Sequence, residues 1–229
     1  MTERPLEGWT VAFDLDGTLV DTAPDLIGAL NLCLADEGLA PVPLASARHL
    51  VGRGARFLIE RGFAAGGVAL DPERAQRLFE QFLAVYRGRI AEESRPFPGC
   101  LEALDALAAD GATLAVCTNK HTDLSLALLN ALGLTGRFAT VVGADLVPIG
   151  KPDPASLLLT VERAGGDRRR AILVGDAATD TGAARNAGVP SVVVDWGYTE
   201  TPAAELGGDT LISAFSELPA AVRHLAVAG

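Results

Sequence analysis

Two carboxylates two residues apart, Asp14 and Asp16, open the chemistry of this chain in the segment Phe13-Asp14-Leu15-Asp16-Gly17-Thr18. Further along come Thr118-Asn119-Lys120, then Gly150-Lys151-Pro152, then Gly175-Asp176 with Asp180 four residues on. Brought together, these groups suit phosphoryl transfer. Several carboxylates in one place repel one another unless a cation sits among them, and oxygen ligands with waters suit Mg²⁺. The cation would also neutralise phosphate charge, so that an anionic carboxylate can approach an anionic phosphate. A carboxylate nucleophile forms an acyl phosphate. A second carboxyl can protonate the leaving oxygen and then activate water. Thr118 and Lys151 can hold phosphoryl oxygens, the lysine as a compact point charge. Gly17 and Thr18 would let backbone N–H groups face the anion.

The elements that must position these residues are legible as pattern. Short apolar runs at Thr10–Asp14, Thr113–Thr118, Ala139–Gly143, Ala171–Gly175 and Ser191–Asp195 do not alternate, as expected of parallel strands covered on both faces. Helical patterns separate them: Leu101–Asp110, Asp123–Leu132, Pro154–Ala164 and Thr179–Ala187, each followed by Gly within a residue or two. Strand alternating with helix predicts an α/β fold, a doubly wound parallel sheet with a Rossmann-like core. In such sheets ligands bind outside the carboxyl ends of the strands, where the residues above fall.

One stretch breaks the rhythm. Between about Asp21 and Arg95 the spacing predicts helices at Ala23–Glu37, Leu44–Leu50, Ala55–Arg61 and Pro72–Ile90, and no strand. That is too long for one crossover helix, so residues 21–95 are expected to form a helical cap inserted after the first strand. Residues 1–20 and 96–229 are then the α/β catalytic core, with Arg95-Pro96-Phe97-Pro98-Gly99 marking the return. The tail Ser213–Ala228 reads as a last helix interrupted or restarted at Pro219.

Composition bounds the partners. Across 229 residues, 49% are apolar, enough for a sizeable core. The net charge of -10, with no basic stripe, argues against nucleic acid and anionic membranes. No apolar run reaches the roughly 20 residues of a membrane span, and the start lacks a secretion signal. Cys33, Cys100 and Cys117 have no metal-like spacing and suggest reduced thiols in a cytoplasmic protein. A local site can still oppose the global charge, so the expected partner is a small phosphorylated metabolite, and the expected state is a monomer or homodimer. Of 19 basic residues only Lys120 and Lys151 are lysines. Lys120 reads as solvated. Gly52-x-Gly54 and Gly150-Lys151 fail as nucleotide motifs, since Phe57 and Pro152 stand where Gly and Ser or Thr are needed.

Asp14-Leu15-Asp16-Gly17-Thr18, Thr118-Asn119, Lys151-Pro152 and Gly175-Asp176-x-x-x-Asp180 together resemble the four motifs of the haloacid dehalogenase superfamily, in order and spacing. The resemblance implies that Asp14 is nucleophile and metal ligand, and that Asp16 is general acid/base with its backbone carbonyl on the metal. It further implies that Thr118 binds the phosphoryl group with Asn119 beside it, that Lys151 steadies nucleophile and phosphoryl charge, and that Asp176 ligates Mg²⁺. Asp180 reads either as a ligand or as a first-turn carboxylate favoured by the helix dipole. Within the superfamily, Asp21-Thr22-Ala23-Pro24-Asp25-Leu26, Val51-Gly52-x-Gly54-Ala55, Glu60-Arg61 and Arg95–Gly99 are similar to the phosphoglycolate phosphatase branch. Arg53, Ala177 and Asp153 depart from it. Arg53 reads either as a contact for a substrate carboxylate or as an exposed cation. The expected reaction is hydrolysis of 2-phosphoglycolate to glycolate and phosphate. The alternatives are another sugar or sugar-acid phosphate, pyrophosphate, a phosphosugar mutase on the same scaffold, and, from a different class, a binding module without activity.

Overall fold

The computed structural model describes residues 4–52 and 54–228. Its centre is β1 (Thr10–Phe13), flanked on one side by β4 (Thr113–Cys117) and on the other by β6 (Ala171–Gly175), all parallel. Adding β5 (Thr140–Val142), β7 (Ser191–Val194) and β8 (Thr210–Ile212) completes a six-stranded sheet of order β5-β4-β1-β6-β7-β8. The side chains of β1 and β6 part by the period of two: Val11, Phe13, Ile172 and Val174 enter one apolar cluster, Ala12, Ala171 and Leu173 the other. The first cluster is covered by α5 (Cys100–Ala109), α6 (Thr122–Ala131) and α9 (Leu218–Ala228). The second is covered by α7 (Ala155–Arg163) and α8 (Ala178–Ala187). Each fully buried Leu, Val or Phe in these layers contributes about 1.5–3 kcal/mol.

The edge strand β8 is absent from the pattern expected of the sequence. It is three residues long and Leu211 points to solvent, so Thr210-Leu211-Ile212 offers no apolar run to detect. The expected tail helix begins late: a single 3-10 turn, Phe215–Glu217, precedes α9.

After β1 the chain makes a two-residue strand β2 (Val20–Asp21), which pairs antiparallel with β3 (Arg95–Pro96). Between them run α1 (Ala23–Asp36), α2 (Leu44–Ala47), α3 (Ala55–Ala65) and α4 (Pro72–Gly88). The start signals act as their chemistry dictates: Asp71 accepts the Arg74 N–H at 2.9 Å and Pro72 takes the first turn. A second core, with Leu30, Phe63, Phe82 and Tyr86 fully buried, holds these helices together, and Leu124 and Tyr198 join it from the sheet side. The helix expected over Leu44–Leu50 changes to a 3-10 turn at Arg48–Leu50 ahead of Val51-Gly52. Among the described residues no helix is long and apolar enough to cross a membrane.

One buried group ties the two ends of the helical segment. Asp25 on α1 has no exposure and accepts the Glu93 N–H at 3.0 Å, the Ser94 N–H at 2.8 Å and the Ser94 hydroxyl at 2.7 Å. Arg89 stands 3.6 Å away. Asp25→Ala strands these donors in the interior, so the expected cost is about 3 kcal/mol or more. The measurement is urea unfolding, read as a lower midpoint at unchanged slope.

Candidate active site

The site forms where β1, β4 and β6 end. The last ladder bond of β1, from Asp14 N to Val174 O at 2.9 Å, fixes Asp14 at the sheet's carboxyl edge. Asp176 follows β6 directly, and Asp180 lies in the first turn of α8. Asp14, Asp16, Thr118, Lys120, Lys151, Asp176 and Asp180 are all buried. Two close approaches make this crowding possible. Gly17 sits at φ +91°, and a Cβ there would lie 2.6 Å from Asp176 Oδ2. A Cβ on Gly175 would overlap Asp180, so a Gly must precede Asp176 for the two carboxylates to converge.

The groups divide into two charge sets. In the first, Lys151 Nζ lies 2.6 Å from Asp180 Oδ1 and 2.9 Å from Asp14 Oδ1, and donates to the Cys117 carbonyl at 2.8 Å. The Asp14 contact is close but off the line of a hydrogen bond, leaving Asp14 Oδ1 buried without a hydrogen-bond partner. Asp176 accepts from the Thr18 hydroxyl at 2.7 Å and from the Tyr198 N–H at 2.8 Å. Asp180 Oδ2 also takes the Ala177 N–H at 3.0 Å, so it serves the helix terminus and the site at once. In the second set, Lys120 Nζ bridges both oxygens of Asp16 at 2.9 and 3.1 Å and stands 4.5 Å over the Tyr86 ring.

Protonation follows from these surroundings. Burial pushes the Asp14 carboxyl up to about 6, with Lys151 pulling it down and Asp180 adding to the rise. Burial, then Asp14 and Asp180, push Asp176 up to about 8. Burial opposes the Lys151 charge, yet Asp14 and Asp180 outweigh it and raise its pKa. With all three carboxylates ionised the set would carry two uncompensated negative charges against one ammonium, and the raised Asp14 and Asp176 values reflect that repulsion together with burial. Oxygens of Asp14, Asp176 and Asp180 lie within 4.8 Å of one another. A hard divalent cation such as Mg²⁺ fits both the charge imbalance and the all-oxygen donors, and Asp14, Asp176 and Asp180 are the residues that would hold it.

The other expected residues have distinct places. The Asn119 amide clamps the Lys151 backbone, accepting its N–H at 2.8 Å and donating to its carbonyl at 3.1 Å. The Gly17 N–H is spent on the Val20 carbonyl and the Thr18 hydroxyl on Asp176, so these two build the turn and brace Asp176. Neither is among the described residues that line the cleft. Lys120, expected to be solvated, is 8% exposed because Asp16 neutralises it. Arg53 lies outside the described residues. Tyr198 was not anticipated: its hydroxyl donates to Asp21 at 2.6 Å and accepts the Ala23 N–H at 3.0 Å, while Arg48 stacks on its ring and pairs with Asp21. Its signal is its place just beyond the fifth strand, an end that bears no titratable motif.

Above these groups lies a cleft enclosing about 550 Å³ of space, open mouth included. Its floor is Asp14, Asp16, Thr118, Asn119 and Lys120; its helical wall is mostly apolar, with Leu26, Val51, Leu58 and Phe82.

Comparison with known proteins adds the lineage of this arrangement. The model of the haloacid dehalogenase-like hydrolase family matches residues 11–194. The phosphoglycolate phosphatase of Caulobacter vibrioides is 54% identical over 96% of this chain and 93% of its own. That of Agrobacterium fabrum is 49% identical over 97% and 95%. The crystal structure of a predicted phosphoglycolate phosphatase from Haemophilus somnus 129pt superposes with a TM-score of 0.85 at 30% identity, covering 93% of this chain and 96% of that one.

Because the charge deficit is a property of the folded site, millimolar Mg²⁺ should raise the melting temperature. Asp176→Asn, which removes one of the three carboxylates, should abolish most of that rise. Thermal denaturation with Mg²⁺ and with chelator, on both proteins, is the check.

Proposed function

This chain belongs to the haloacid dehalogenase-like hydrolase family, and from that premise we propose that it is a Mg²⁺-dependent phosphomonoesterase with 2-phosphoglycolate as its substrate. The observation that carries the reading is the pairing at the floor of the cleft. Asp14 presents an oxygen that is paired in charge with the Lys151 ammonium but accepts no hydrogen bond, and the Asp16–Lys120 pair shares the same cleft. The phosphoglycolate phosphatases that are 54% and 49% identical to nearly the whole chain support the choice of substrate.

In this reading an Asp14 oxygen attacks phosphorus. The ester P–O bond breaks, and Asp16 gives its proton to the leaving oxygen, releasing glycolate. Water then attacks the phosphorus of the Asp14 acyl phosphate, Asp16 takes the proton, and the P–O bond to Asp14 breaks to release phosphate. Lys120 fixes the position of the Asp16 carboxyl through both of its oxygens. Lys151 neutralises charge on Asp14 and on the phosphoryl oxygens, and Thr118 offers its hydroxyl beside them. Asn119 keeps Lys151 in place through its backbone. A cation held by Asp14, Asp176 and the Asp16 carbonyl, with Asp180 as ligand or support, would draw charge from the phosphoryl group and lower the repulsion between the two anions.

The helices of residues 21–95 act as a cap. Their apolar wall excludes water from the reacting phosphoryl group, and the short β2–β3 ribbon is the joint on which they move. The buried free thiols Cys33, Cys100 and Cys117 suit a reducing cytoplasm.

Asp14→Asn should lower kcat by about 10³-fold or more while the circular dichroism spectrum stays native. Phosphate release from 2-phosphoglycolate, with Mg²⁺ and with chelator, measures it. Near-normal turnover by the variant would rule the mechanism out.

A further inference from the structure

We infer that Lys120 and Tyr86 together seat the substrate's second acidic group, the one that is not transferred, so that the site selects small phosphomonoesters bearing a carboxylate. The inference rests on the phosphomonoesterase reading above and adds to it which group on the substrate is recognised, and by what.

The two residues come from opposite walls. Lys120 follows β4 on the sheet side, and Tyr86 lies on α4 of the helical segment. Both line the cleft that Asp14 and Asp16 floor. Among the described residues lining it, Lys120 brings the one Lys or Arg side chain, since Lys151 is sealed beneath. An ammonium has three N–H donors. Asp16 engages Lys120 at 2.9 and 3.1 Å, and the Tyr86 ring face lies 4.5 Å from the nitrogen. An entering anion can therefore join the cation without breaking a closed shell of fixed hydrogen bonds.

Tyr86 supplies the second observation. It is fully buried, and its hydroxyl has no hydrogen-bond partner. Buried hydroxyls are nearly always satisfied, and each orphan calls for an explanation. Burial pushes this phenol up to about 12, so it keeps its proton and has a donor to give. The neighbouring wall offers little competition, being Leu26, Val51, Leu58 and Phe82. The His121 ring, which also lines the cleft, packs against Phe79.

Charge decides the class of the group. The Lys120–Asp16 pair carries no net charge, so what it and the neutral Tyr86 hydroxyl offer is directed N–H and O–H donors, which match a singly charged planar carboxylate. A second phosphate would set two further negative charges beside Asp14 and Asp16, with nothing described on the wall to balance them. Because Asp14, Asp16 and Lys120 share one small cleft, the carboxylate must lie within a few bonds of the ester oxygen.

The test compares kcat/KM, with Mg²⁺, for 2-phosphoglycolate, phospholactate and ethyl phosphate, the last lacking the acid. The full chain is used as wild type, Lys120→Met, Tyr86→Phe and Arg53→Ala. Lys120→Met should cut the acid-to-neutral ratio roughly 30-fold, the share of one charge-assisted contact, even though loss of the Asp16 contact also slows ethyl phosphate. Tyr86→Phe, which keeps the ring packing, should cut the ratio roughly threefold to tenfold. An unchanged ratio in Tyr86→Phe overturns the proposal even if Lys120→Met does not fold. So does a ratio lost in Arg53→Ala and kept in Lys120→Met. A wild type that prefers phospholactate, with that preference collapsing in Lys120→Met, leaves the seat standing and removes 2-phosphoglycolate as the substrate. A wild type with no preference for either acid removes both readings.

Discussion

Lys151 has to balance carboxylates that reach it from the ends of different elements, and its ammonium is sealed from water. Asp14 comes from β1 and Asp180 from α8, while the Cys117 carbonyl at the end of β4 takes another of its protons. Removing one partner of such a buried pair costs about 3–5 kcal/mol, because the survivor is left charged and unsolvated. The sheet order is what makes the arrangement affordable. With β1 between β4 and β6, one side chain can touch all of these groups. Most local peculiarities of the site follow from the same need. Gly175 leaves room for Asp180, Gly17 leaves room for Asp176, and Asn119 holds the Lys151 backbone at both its N–H and its carbonyl.

The helical segment is coupled to this centre by polar contacts at its root and by apolar contacts above. Tyr198 joins the two directly: its N–H braces Asp176, and its hydroxyl binds Asp21 and Ala23, where the helical segment begins. Arg48 stacks on the Tyr198 ring from the helical side. The residue that orients Asp176 is thus held at the same time to the start of the helical segment, beside the β2–β3 ribbon. The site's carboxylates and the helices above it are mechanically linked through one aromatic side chain.

Much of this was legible in the sequence, for reasons that can be named. Parallel strands buried on both faces read as plain apolar runs, so Thr10–Phe13 and Ala171–Gly175 stand out and their ends locate the carboxylates. What failed depended on partners distant along the chain. Lys120 looks solvated until Asp16, 104 residues away, is placed against it. Nothing near Thr18 in the chain announces that its hydroxyl braces Asp176, 158 residues on. The edge strand Thr210–Ile212 carries too little buried surface to leave a pattern, and Tyr198 belongs to none of the motifs that stand out in the sequence. Local periodicity records which face of an element is buried. It does not record which charge meets which.

The same distinction explains the asymmetry of the cleft. A floor of ionised groups beneath a wall of Leu26, Val51, Leu58 and Phe82 looks mismatched for an anionic ligand. Yet a polar wall would bring water or mobile dipoles, and each would weaken the floor's charges by screening. An apolar wall lowers the local dielectric, so Lys151 and Lys120 act on whatever lies between floor and wall at greater strength. The cost is that every charge there must be met at short range, since no solvent remains to finish the task. The floor pays this cost in advance for Asp16 with Lys120, and only in part for Asp14, whose Oδ1 stays without a hydrogen bond. Asp14 thus keeps acceptor capacity, close to the oxygens of Asp176 and Asp180, that a bound cation would use.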